Sequence, residues 1–277
     1  MKAVILSAGQ GRRLLPLTIK APKCTLPIMG QSLIEWQVDE LAKCGIKRVT
    51  VVVGFGADFV EQLVVRRYEP NHVRTLYNPV HAMTDNLVSC WVARAEMTED
   101  FVLLNGDTLF EAAVMQRLLA THAEPVTVVT DCKSSYDADD MKVKLDGDRL
   151  VSIGKDLPLN EVDGESIGMI LFRGGGPGLF CAAIEQVLRK ESALTQWYLS
   201  VIDEMAQSMP VRTCCIEGLG WCEVDCPADL EQAEKVVKTC ITPREPLVGA
   251  APDSASQGYI PLVALWRARV RQAGQKR

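Results

Sequence analysis

The chain has 277 residues, of which 48% are hydrophobic, and a formal net charge of −5. This apolar content and small charge exclude an intrinsically disordered chain, and the length predicts one large domain or nearly two. No apolar run reaches the roughly 18 residues that a membrane-spanning helix needs. The first residues, MKAVILSAGQGRR, have too short an apolar core for a secretory signal. We therefore expect a cytoplasmic protein without stable membrane insertion.

Charge is distributed unevenly along the chain. Residues 240–277 hold six Lys or Arg and two acidic residues, so the other 239 residues carry 24 basic and 33 acidic groups. Such an acidic body argues against nucleic acid as the main partner, whereas a mononucleotide with its metal ion remains compatible.

Ten cysteines are scattered along the chain without a C-x-x-C pair, and there are three histidines. A zinc site would therefore need mostly thiolate ligands. We expect the cysteines to be reduced, and most of them to be small buried apolar residues.

In the first half of the chain, apolar strands alternate with amphipathic helices. Lys2–Ser7 is a β-branched, nearly continuous apolar run, which predicts a buried parallel strand. Apolar residues at positions 33, 34, 38 and 41 have helical spacing, and Gly45 then ends that helix. Further strands are predicted at Val49–Val53, Val73–Tyr77, Phe101–Leu104 and Val126–Thr130, and helices at Ser32–Cys44, Asp58–Arg67, Asp85–Ala95 and Glu111–Thr121. This alternation predicts a doubly wound, mostly parallel sheet.

After residue 131 the pattern changes. Alternating residues around Asp146-Gly147-Asp148 predict a β-hairpin formed by Met141–Leu145 and Leu150–Ile153. The remaining predicted elements are strands Ser166–Phe172 and Val211–Glu217 and helices Leu179–Arg189, Leu199–Gln207 and Ala228–Cys240. We interpret residues 131–225 as a substrate-side elaboration of the same core.

The end of the chain has a different composition. Residues 241–258 contain three prolines, many small residues and no periodicity, which is typical of a linker. Residues 259–277 form a basic tail, in which Tyr259–Gln272 could form a short amphipathic helix. Such a helix is either a solvated or subunit-packing tail, or a surface attachment to an anionic membrane.

A Gly-rich turn directly after the first strand gives the first indication of chemistry. Gly9 and Gly11 allow backbone N–H groups to approach phosphate oxygens, while Arg13 and Lys23 add positive charge. The Walker pattern G-x-x-x-x-G-K-[ST] is absent, and Leu14 occupies the position of the third glycine of a dinucleotide fingerprint. A phosphate-binding turn of another type and a purely structural turn both remain open.

The run L-S-A-G-Q-G-R-R-L-x-P-L-T from Leu6, followed by Pro22-Lys23, resembles the signature of nucleoside-diphospho-sugar pyrophosphorylases and related nucleotidyltransferases. The resemblance continues through Leu104-Asn105-Gly106-Asp107 and ends near Leu230. It implies an α/β, Rossmann-like (GT-A-like) nucleotidyltransferase fold with a mixed, mostly parallel sheet flanked by helices. One catalytic domain would span residues 1–240, with residues 131–225 as its acceptor-side elaboration.

The reaction that the resemblance implies is attack by an acceptor phosphate oxygen on the α-phosphorus of a nucleoside triphosphate, with release of pyrophosphate. Such a transfer is catalysed by neutralising the charge of the phosphates and by positioning the two substrates, and it needs no protein nucleophile. By resemblance, Asp107 and Asp225 hold Mg²⁺, the predicted cofactor, and Arg13 and Lys23 grip the β- and γ-phosphates. Each aspartate could instead be a helix cap.

Other residues are assigned to the two substrates by the same resemblance. Lys142 and Lys155 are the candidates for the acceptor phosphate, although a lysine that points outward on a strand is more often solvated. The residues implied to bind nucleotide in the first half of the sheet are Leu6, Ala8, Gly9, Gly11 and Asp107.

The run N-P-x-x-x-x-T-[DN]-N-x-x-S-x-W from Asn78 to Trp91 is similar to cytidylyltransferases that act on phosphocholine, phosphonoalkylamines and other small phosphorylated alcohols, including inositol-phosphate members. Asn78, Thr84 and Asn86 offer groups that could pair with a base or ribose. Their alternative is capping, because Thr84 or Asp85 could begin the helix that follows.

A quaternary ammonium acceptor needs an aromatic wall and a carboxylate. Trp197, Trp221 and Glu223 are the candidates for this acceptor site, although such aromatic residues more often belong to the core.

Our leading hypothesis is a CTP-dependent cytidylyltransferase. The acceptor would be phosphocholine or an aminoalkylphosphonate, and inositol phosphate next. A sugar-1-phosphate nucleotidyltransferase that uses UTP, dTTP or GTP is the first alternative, and a non-catalytic nucleotide-sensing subunit is another. The expected partners are CTP and a small phosphorylated acceptor, and a homo-oligomer stays open.

Overall fold

The structure is a computed structural model, and it describes residues 1–241. The predicted linker after Ile241 and the predicted basic tail lie outside the described residues. The strands are β1 (Lys2–Ser7), β2 (Pro27–Ile28), β3 (Gln31–Ser32), β4 (Arg48–Val53), β5 (Val73–Tyr77), β6 (Phe101–Asn105), β7 (Thr108–Phe110), β8 (Val126–Asp131), β9 (Lys142–Asp146), β10 (Arg149–Gly154), β11 (Gly164–Phe172), β12 (Arg212–Cys215) and β13 (Trp221–Glu223). The α-helices are α1 (Leu33–Lys43), α2 (Ala57–Arg67), α3 (Asn86–Val92), α4 (Ala112–Leu119), α5 (Gly176–Val187), α6 (Tyr198–Ser208) and α7 (Asp229–Thr239).

Nine strands form one mixed sheet in the order β5-β4-β1-β6-β11-β8-β12-β10-β9. Strands β5, β4, β1 and β6 run parallel to one another, and β12 runs parallel to β8. Strand β11 is antiparallel to both β6 and β8, and β9 and β10 form the predicted antiparallel hairpin. The predicted α/β fold with a mixed sheet is confirmed, but the sheet is not mostly parallel, since four of its eight neighbouring strand pairs are antiparallel. Strands from residues 131–225 complete this same sheet.

The central strand β1 is buried on both faces, which its apolar run predicted. Ala3 and Ile5 pack into one hydrophobic cluster, and Val4 and Leu6 pack into another on the opposite face. Each fully buried aliphatic side chain of this size contributes about 1.5–3 kcal/mol to folding. This two-sided burial fixes the end of β1 in place, and that end leads directly into the Gly-rich turn.

Helix α1 begins and ends at the residues that its sequence indicates. The Ser32 side chain accepts a hydrogen bond from the Glu35 backbone, and the Glu35 carboxylate accepts one from the Ser32 N–H at 2.8 Å. This capping box fixes the first turn. Gly45, with φ of +80°, follows the helix in the left-handed conformation that ends it.

The sequence did not predict every part of the fold, and the short antiparallel pair of β2 and β3 is one that it missed. The helix predicted over Asp85–Ala95 ends at Val92, and a separate 3₁₀ turn covers Arg94–Glu96. A small antiparallel sheet of β7 and β13 was not predicted at all. Its three-residue strands are too short to show a periodic pattern and are far apart in the chain.

All ten cysteines fall within residues 1–241 and have free thiols. The expectation that most are buried is wrong, since the four buried ones are Cys24, Cys90, Cys214 and Cys222. Others, such as Cys132 and Cys215 at strand ends, are exposed because they lie where the sheet meets its loops. Among the helices of residues 1–241, none is both long and apolar enough to cross a bilayer.

Candidate active site

The candidate site lies at the edge where β1 and β6 end. The two strands are parallel, and Leu6 is paired with Asn105 at their carboxyl ends. Ligands of α/β proteins bind outside this edge of the sheet. Gly11 has φ of +72°, and a Cβ there would lie 2.9 Å from the Cβ of Lys23. Glycine therefore lets the turn press directly against the segment that carries Lys23.

A second glycine brings the end of β6 against the end of β1. The Gly106 N–H donates to the Leu6 carbonyl at 2.9 Å, and a Cβ at Gly106 would overlap the Ser7 hydroxyl. Asp107 follows directly, so this close contact sets the position of its carboxylate beside the Gly-rich turn.

Lys23 joins the two predicted metal ligands. Its ammonium lies 2.5 Å from Oδ2 of Asp107 and 2.7 Å from Oδ1 of Asp225. Burial lowers the pKa of Lys23, but the two carboxylates more than offset this, so its pKa is raised and the side chain stays charged. Arg13 adds a second cation, with Nη2 2.9 Å from Oδ2 of Asp225. The structure thus brings together all four residues predicted for the triphosphate and metal.

The small sheet explains how Asp225 reaches Asp107. Strand β13 pairs with β7, and the Val224 N–H beyond it donates to the Asp107 carbonyl at 3.0 Å. The Asp229 carboxylate accepts hydrogen bonds from the backbone N–H groups of Asp225 and Cys226 at 2.8 and 2.7 Å. These bonds fix the turn before α7, so the Asp225 side chain is directed back toward Lys23.

The two aspartates suit a hard divalent cation. Oδ1 of Asp107 is buried and has no hydrogen-bond partner among the described residues, although its other oxygen is bound by Lys23. A buried carboxylate oxygen without a partner is costly unless a ligand satisfies it. Mg²⁺ prefers one or two carboxylates together with phosphate oxygens. The residues present therefore fit the predicted magnesium site.

Glu223 adds a third carboxyl group near this pair. Burial, followed by the neighbouring charges of Asp107 and Asp225, raises the pKa of Glu223 to about 8. Glu223 therefore lies close to the carboxylates of Asp107 and Asp225. This was a predicted acceptor residue, and it lies on the metal side of the site.

Two predicted acceptor lysines lie on the other side. The Lys142 side chain is buried, and its ammonium donates to the Lys155 carbonyl at 2.8 Å. Lys155 Nζ lies 4.3 Å from the centre of the Trp197 ring and 3.2 Å from Oδ1 of Asp139. Trp197 is 40% exposed, so its ring is accessible as a wall of the site. Lys142, Lys155 and Trp197 therefore form one cluster.

Trp221 has a different setting. Its indole Nε1 donates to Oδ2 of Asp131 at 2.6 Å, and its ring packs against the hydrophobic cluster that contains Phe110. These contacts match the core alternative that the sequence left open for this tryptophan.

The predicted nucleotide residues of the first turn differ in accessibility. Leu6 is buried in the core, and the Ala8 carbonyl accepts the Phe55 N–H at 3.0 Å. A Cβ at Gly9 would meet open space, and this glycine is exposed.

The polar side chains of residues 78–86 mostly bond within the protein. The Asn78 amide is fully buried, donates to Ser89 Oγ at 3.1 Å and accepts from the Val80 N–H. Thr84 Oγ1 donates to the Val80 carbonyl at 2.9 Å. Asp85 caps α3, as the capping alternative proposed. A base contact through Asn78 would have to compete with these bonds, and it stays a prediction.

Asn86 links the start of α3 to the segment that carries Trp197. Its Oδ1 accepts the Tyr198 N–H at 2.9 Å, and the neighbouring Asp85 N–H donates to the Leu194 carbonyl at 2.9 Å. These bonds hold the segment that carries Trp197 against the start of α3. The motif predicts a base or ribose contact for Asn86, which stays a prediction, whereas the partner of its Oδ1 in the structure is the Tyr198 backbone.

Sequence reasoning missed two residues near the site. Gln37 is fully buried, and its Nε2 donates to the carbonyls of Asn105 and Thr108 at 2.8 Å each, so it clamps the turn that carries Asp107. Asp139 lies between Arg13 and Lys155. The only signal for Asp139 was the acidic run Asp-Ala-Asp-Asp, which looks like an ordinary solvated loop.

Glu165 is a further buried acid, on β11. Its Oε2 lies 2.9 Å from Lys133 Nζ. Burial raises the pKa of Glu165 to about 6, and Lys133 only partly opposes this effect.

Comparison with known proteins gives the family and the fold. The family model described as the MobA-like NTP transferase domain matches residues 3–195. The CMP-5'-(3-aminopropyl)phosphonate synthase of Streptomyces rubellomurinus is 29% identical over 244 residues, covering 84% of this chain and 38% of that protein. The bifunctional IPC transferase and DIPP synthase of Aquifex aeolicus is 28% identical, covering 86% of this chain and 52% of that protein. The CTP:phosphoglutamine cytidylyltransferase of Campylobacter jejuni is 26% identical, covering 85% and 100%. The chain thus spans about half or less of the first two relatives.

Two solved structures share the fold. The CTP:phosphocholine cytidylyltransferase from Streptococcus pneumoniae has a TM-score of 0.69 at 19% identity, covering 85% of this chain and 98% of that one. The inositol-1-phosphate CTP transferase from T. maritima has a TM-score of 0.72 at 20% identity, covering 86% and 97%. At this level of identity the likeness establishes the fold alone.

Proposed function

Because the chain belongs to the MobA-like NTP transferase domain family, we propose that it transfers CMP from CTP to a small phosphorylated alcohol or phosphonate. The observation that carries the proposal is the arrangement of Lys23 between Asp107 and Asp225, with Arg13 alongside, at the ligand-binding edge of the sheet. The choice of CTP is supported by the relatives, which are named for CMP or CTP chemistry.

In the proposed reaction an acceptor phosphate or phosphonate oxygen attacks the α-phosphorus of CTP. The new P–O bond forms as the bond to the bridging oxygen of the β-phosphate breaks, and pyrophosphate leaves with the electron pair. Lys23 and Arg13 neutralise the charge that develops on this leaving group. Because Lys23 is held by two carboxylates, its ammonium is already oriented before the substrate binds.

Asp107 and Asp225 would hold the magnesium ion, for which the unsatisfied Asp107 oxygen is the structural argument. The bound metal would supply positive charge to the triphosphate.

The acceptor would lie on the opposite side, against Lys155, Lys142 and Trp197. Lys155 would bind the attacking phosphate or phosphonate group, while the buried Lys142 supports Lys155 through its backbone carbonyl. The exposed Trp197 ring, on which the Lys155 ammonium lies, suits an acceptor that carries its own cationic group, since aromatic faces attract cations. This favours phosphocholine or an aminoalkylphosphonate over inositol phosphate.

A pyrophosphate-release screen tests the proposal. CTP, UTP, dTTP and GTP are each combined with phosphocholine, 2-aminoethylphosphonate, inositol 1-phosphate and glucose 1-phosphate in the presence of Mg²⁺, and the CMP or CDP product is identified by mass. We expect release with CTP and one of the first three acceptors. Preference for UTP or dTTP with the hexose phosphate would refute the cytidylyl assignment. Binding of CTP without release in any combination would favour the nucleotide-sensing alternative.

A further inference from the structure

One carboxylate connects the two halves of the site. Oδ2 of Asp139 lies 2.7 Å from Arg13 Nη1, and its Oδ1 lies 3.2 Å from Lys155 Nζ. Arg13 also contacts Asp225, on the side proposed for the triphosphate, whereas Lys155 lies over Trp197, on the side proposed for the acceptor. Asp139 therefore forms an ion pair with one cation from each proposed substrate site.

The segment around Asp139 is built from local bonds. The Asp139 N–H donates to Oδ1 of Asp137 at 2.8 Å, and the Asp137 N–H donates to Oδ2 of Asp140 at 2.7 Å. Asp140 is in turn bound by Lys133 at 2.8 Å, and this ammonium also contacts Glu165. The segment is thus anchored at Asp140 through Lys133.

The Asp139 carboxylate itself is only weakly held. Its side chain is 64% exposed and Arg13 is 55% exposed, and exposed ion pairs contribute little. The cations nevertheless act on it together, since Lys155, Arg13 and Lys142 hold the pKa of Asp139 below its usual range. A phosphate or phosphonate group carries up to two negative charges and three oxygens, whereas the Asp139 carboxylate carries one charge. Such a ligand can therefore displace the Asp139 carboxylate from Arg13 or Lys155.

We propose that Asp139 is a built-in competitor for phosphate-bearing ligands, which couples the binding of the nucleotide to that of the acceptor. Either ligand displaces the Asp139 carboxylate and so frees the cation that the other ligand needs. The assignment of Arg13 to the nucleotide and of Lys155 to the acceptor rests on the proposed function. Because coupling between binding sites is reciprocal, each ligand tightens the other by the same factor.

Titration calorimetry in the presence of Mg²⁺ tests this coupling. Inorganic phosphate serves as the acceptor probe, and α,β-methylene-CTP, whose α–β bridge does not break, serves as the nucleotide probe. Asp139→Asn keeps the shape of the side chain but removes its charge. Asp148→Asn is the matched control, because Asp148 is 71% exposed and paired with Arg212 away from the site.

We expect Asp139→Asn to bind phosphate about threefold to tenfold more tightly than the wild type. This factor corresponds to the free energy of the two exposed ion pairs of Asp139, which phosphate must break in the wild type and not in the variant. In the wild type, α,β-methylene-CTP should tighten phosphate binding by a similar factor, and in Asp139→Asn this tightening should largely disappear. Asp148→Asn should behave as the wild type in both measurements.

Unchanged or weaker phosphate binding by Asp139→Asn overturns the proposal, as does coupling that survives in this variant. Neither readout requires CMP transfer, so the pyrophosphate-release screen on the same wild-type preparation reports the proposed function separately. A wild type that couples the two ligands without transferring CMP refutes the proposed function and retains the role of Asp139. An active wild type whose Asp139→Asn variant binds phosphate normally refutes the role of Asp139 alone. If no variant binds either probe, both proposals fail.

Discussion

Replacing Lys23 by Met removes the cation that holds Asp107 and Asp225 together. The three side chains are only 17%, 20% and 25% exposed, so the carboxylates left behind are poorly screened by water. Removing one partner of a buried ion pair lowers the free energy of unfolding by about 3–5 kcal/mol. Because these side chains are partly exposed, we expect Lys23→Met to lose about 3 kcal/mol, near the lower end of this range. Loss of a charge-stabilising donor should also lower turnover by about 10²–10³-fold.

The same geometry predicts a larger response of the Lys23→Met variant to magnesium. In the wild type, the Lys23 ammonium binds one oxygen of Asp107 and one of Asp225, the two residues that would hold the metal. Without this ammonium, Mg²⁺ becomes the main compensation for the two negative charges. A ligand whose free concentration is 100 times its dissociation constant stabilises a protein by about 2.7 kcal/mol. Saturating Mg²⁺ should therefore restore much of the stability that the variant has lost.

Urea unfolding of both proteins, with and without Mg²⁺, measures these quantities, and single-turnover CMP transfer measures the chemical step. Lys144→Met is the control, since Lys144 forms an exposed ion pair with Glu161 whose loss should cost at most about 1 kcal/mol. The reasoning is refuted if Lys23→Met is as stable as this control, or if Mg²⁺ stabilises the variant no more than the wild type.

Three further predictions follow from individual contacts. Asp225→Ala should fold but lose CMP transfer by about 10²-fold or more, measured as pyrophosphate release, and near-normal turnover in Mg²⁺ would remove Asp225 from the metal site. Asn86→Ala should raise the KM for the acceptor more than that for CTP, because its Oδ1 holds the Tyr198 backbone next to Trp197; a selective rise in the KM for CTP would instead support direct base contact. Burial raises the pKa of Glu165 from 4.5 to about 6, so the stability that its protonated form contributes is fully present below pH 4.5 and is lost as the pH rises through 6. Denaturant unfolding from pH 4 to 7 should therefore show the wild type losing about 2 kcal/mol more than Glu165→Gln, and parallel profiles would contradict this.

The parts of the fold that sequence predicted well are those with strong local patterns. β1 is a continuous apolar run, and α1 is framed by a Ser32–Glu35 capping box and by Gly45. The site residues Arg13, Lys23 and Asp107 lie next to these elements, so a local motif was enough to select them. Whether they contact a nucleotide stays a prediction.

The parts that sequence could not predict depend on contacts between distant segments. Nothing local in Trp221–Glu223 indicates that this strand pairs with Thr108–Phe110. The motif position of Asn86 suggested a base contact, because spacing alone does not show that the Tyr198 backbone takes its side chain. Asp139 lies in an acidic run whose composition is that of a solvated loop, and only the folded chain places it between two cations.

The pairing of β7 with β13 also sets the order in which the molecule becomes competent during synthesis. A nascent chain that has emerged through β7 contains the Gly-rich turn, Lys23 and Asp107, and the parallel half of the sheet can already assemble. Asp225 is supplied only after β13 has been made and has added to β7. Ribosome-bound chains that stop short of this strand would therefore present an unpaired β7 edge and Asp107 without Asp225. The segment that carries β13 and Asp225 completes both features at once.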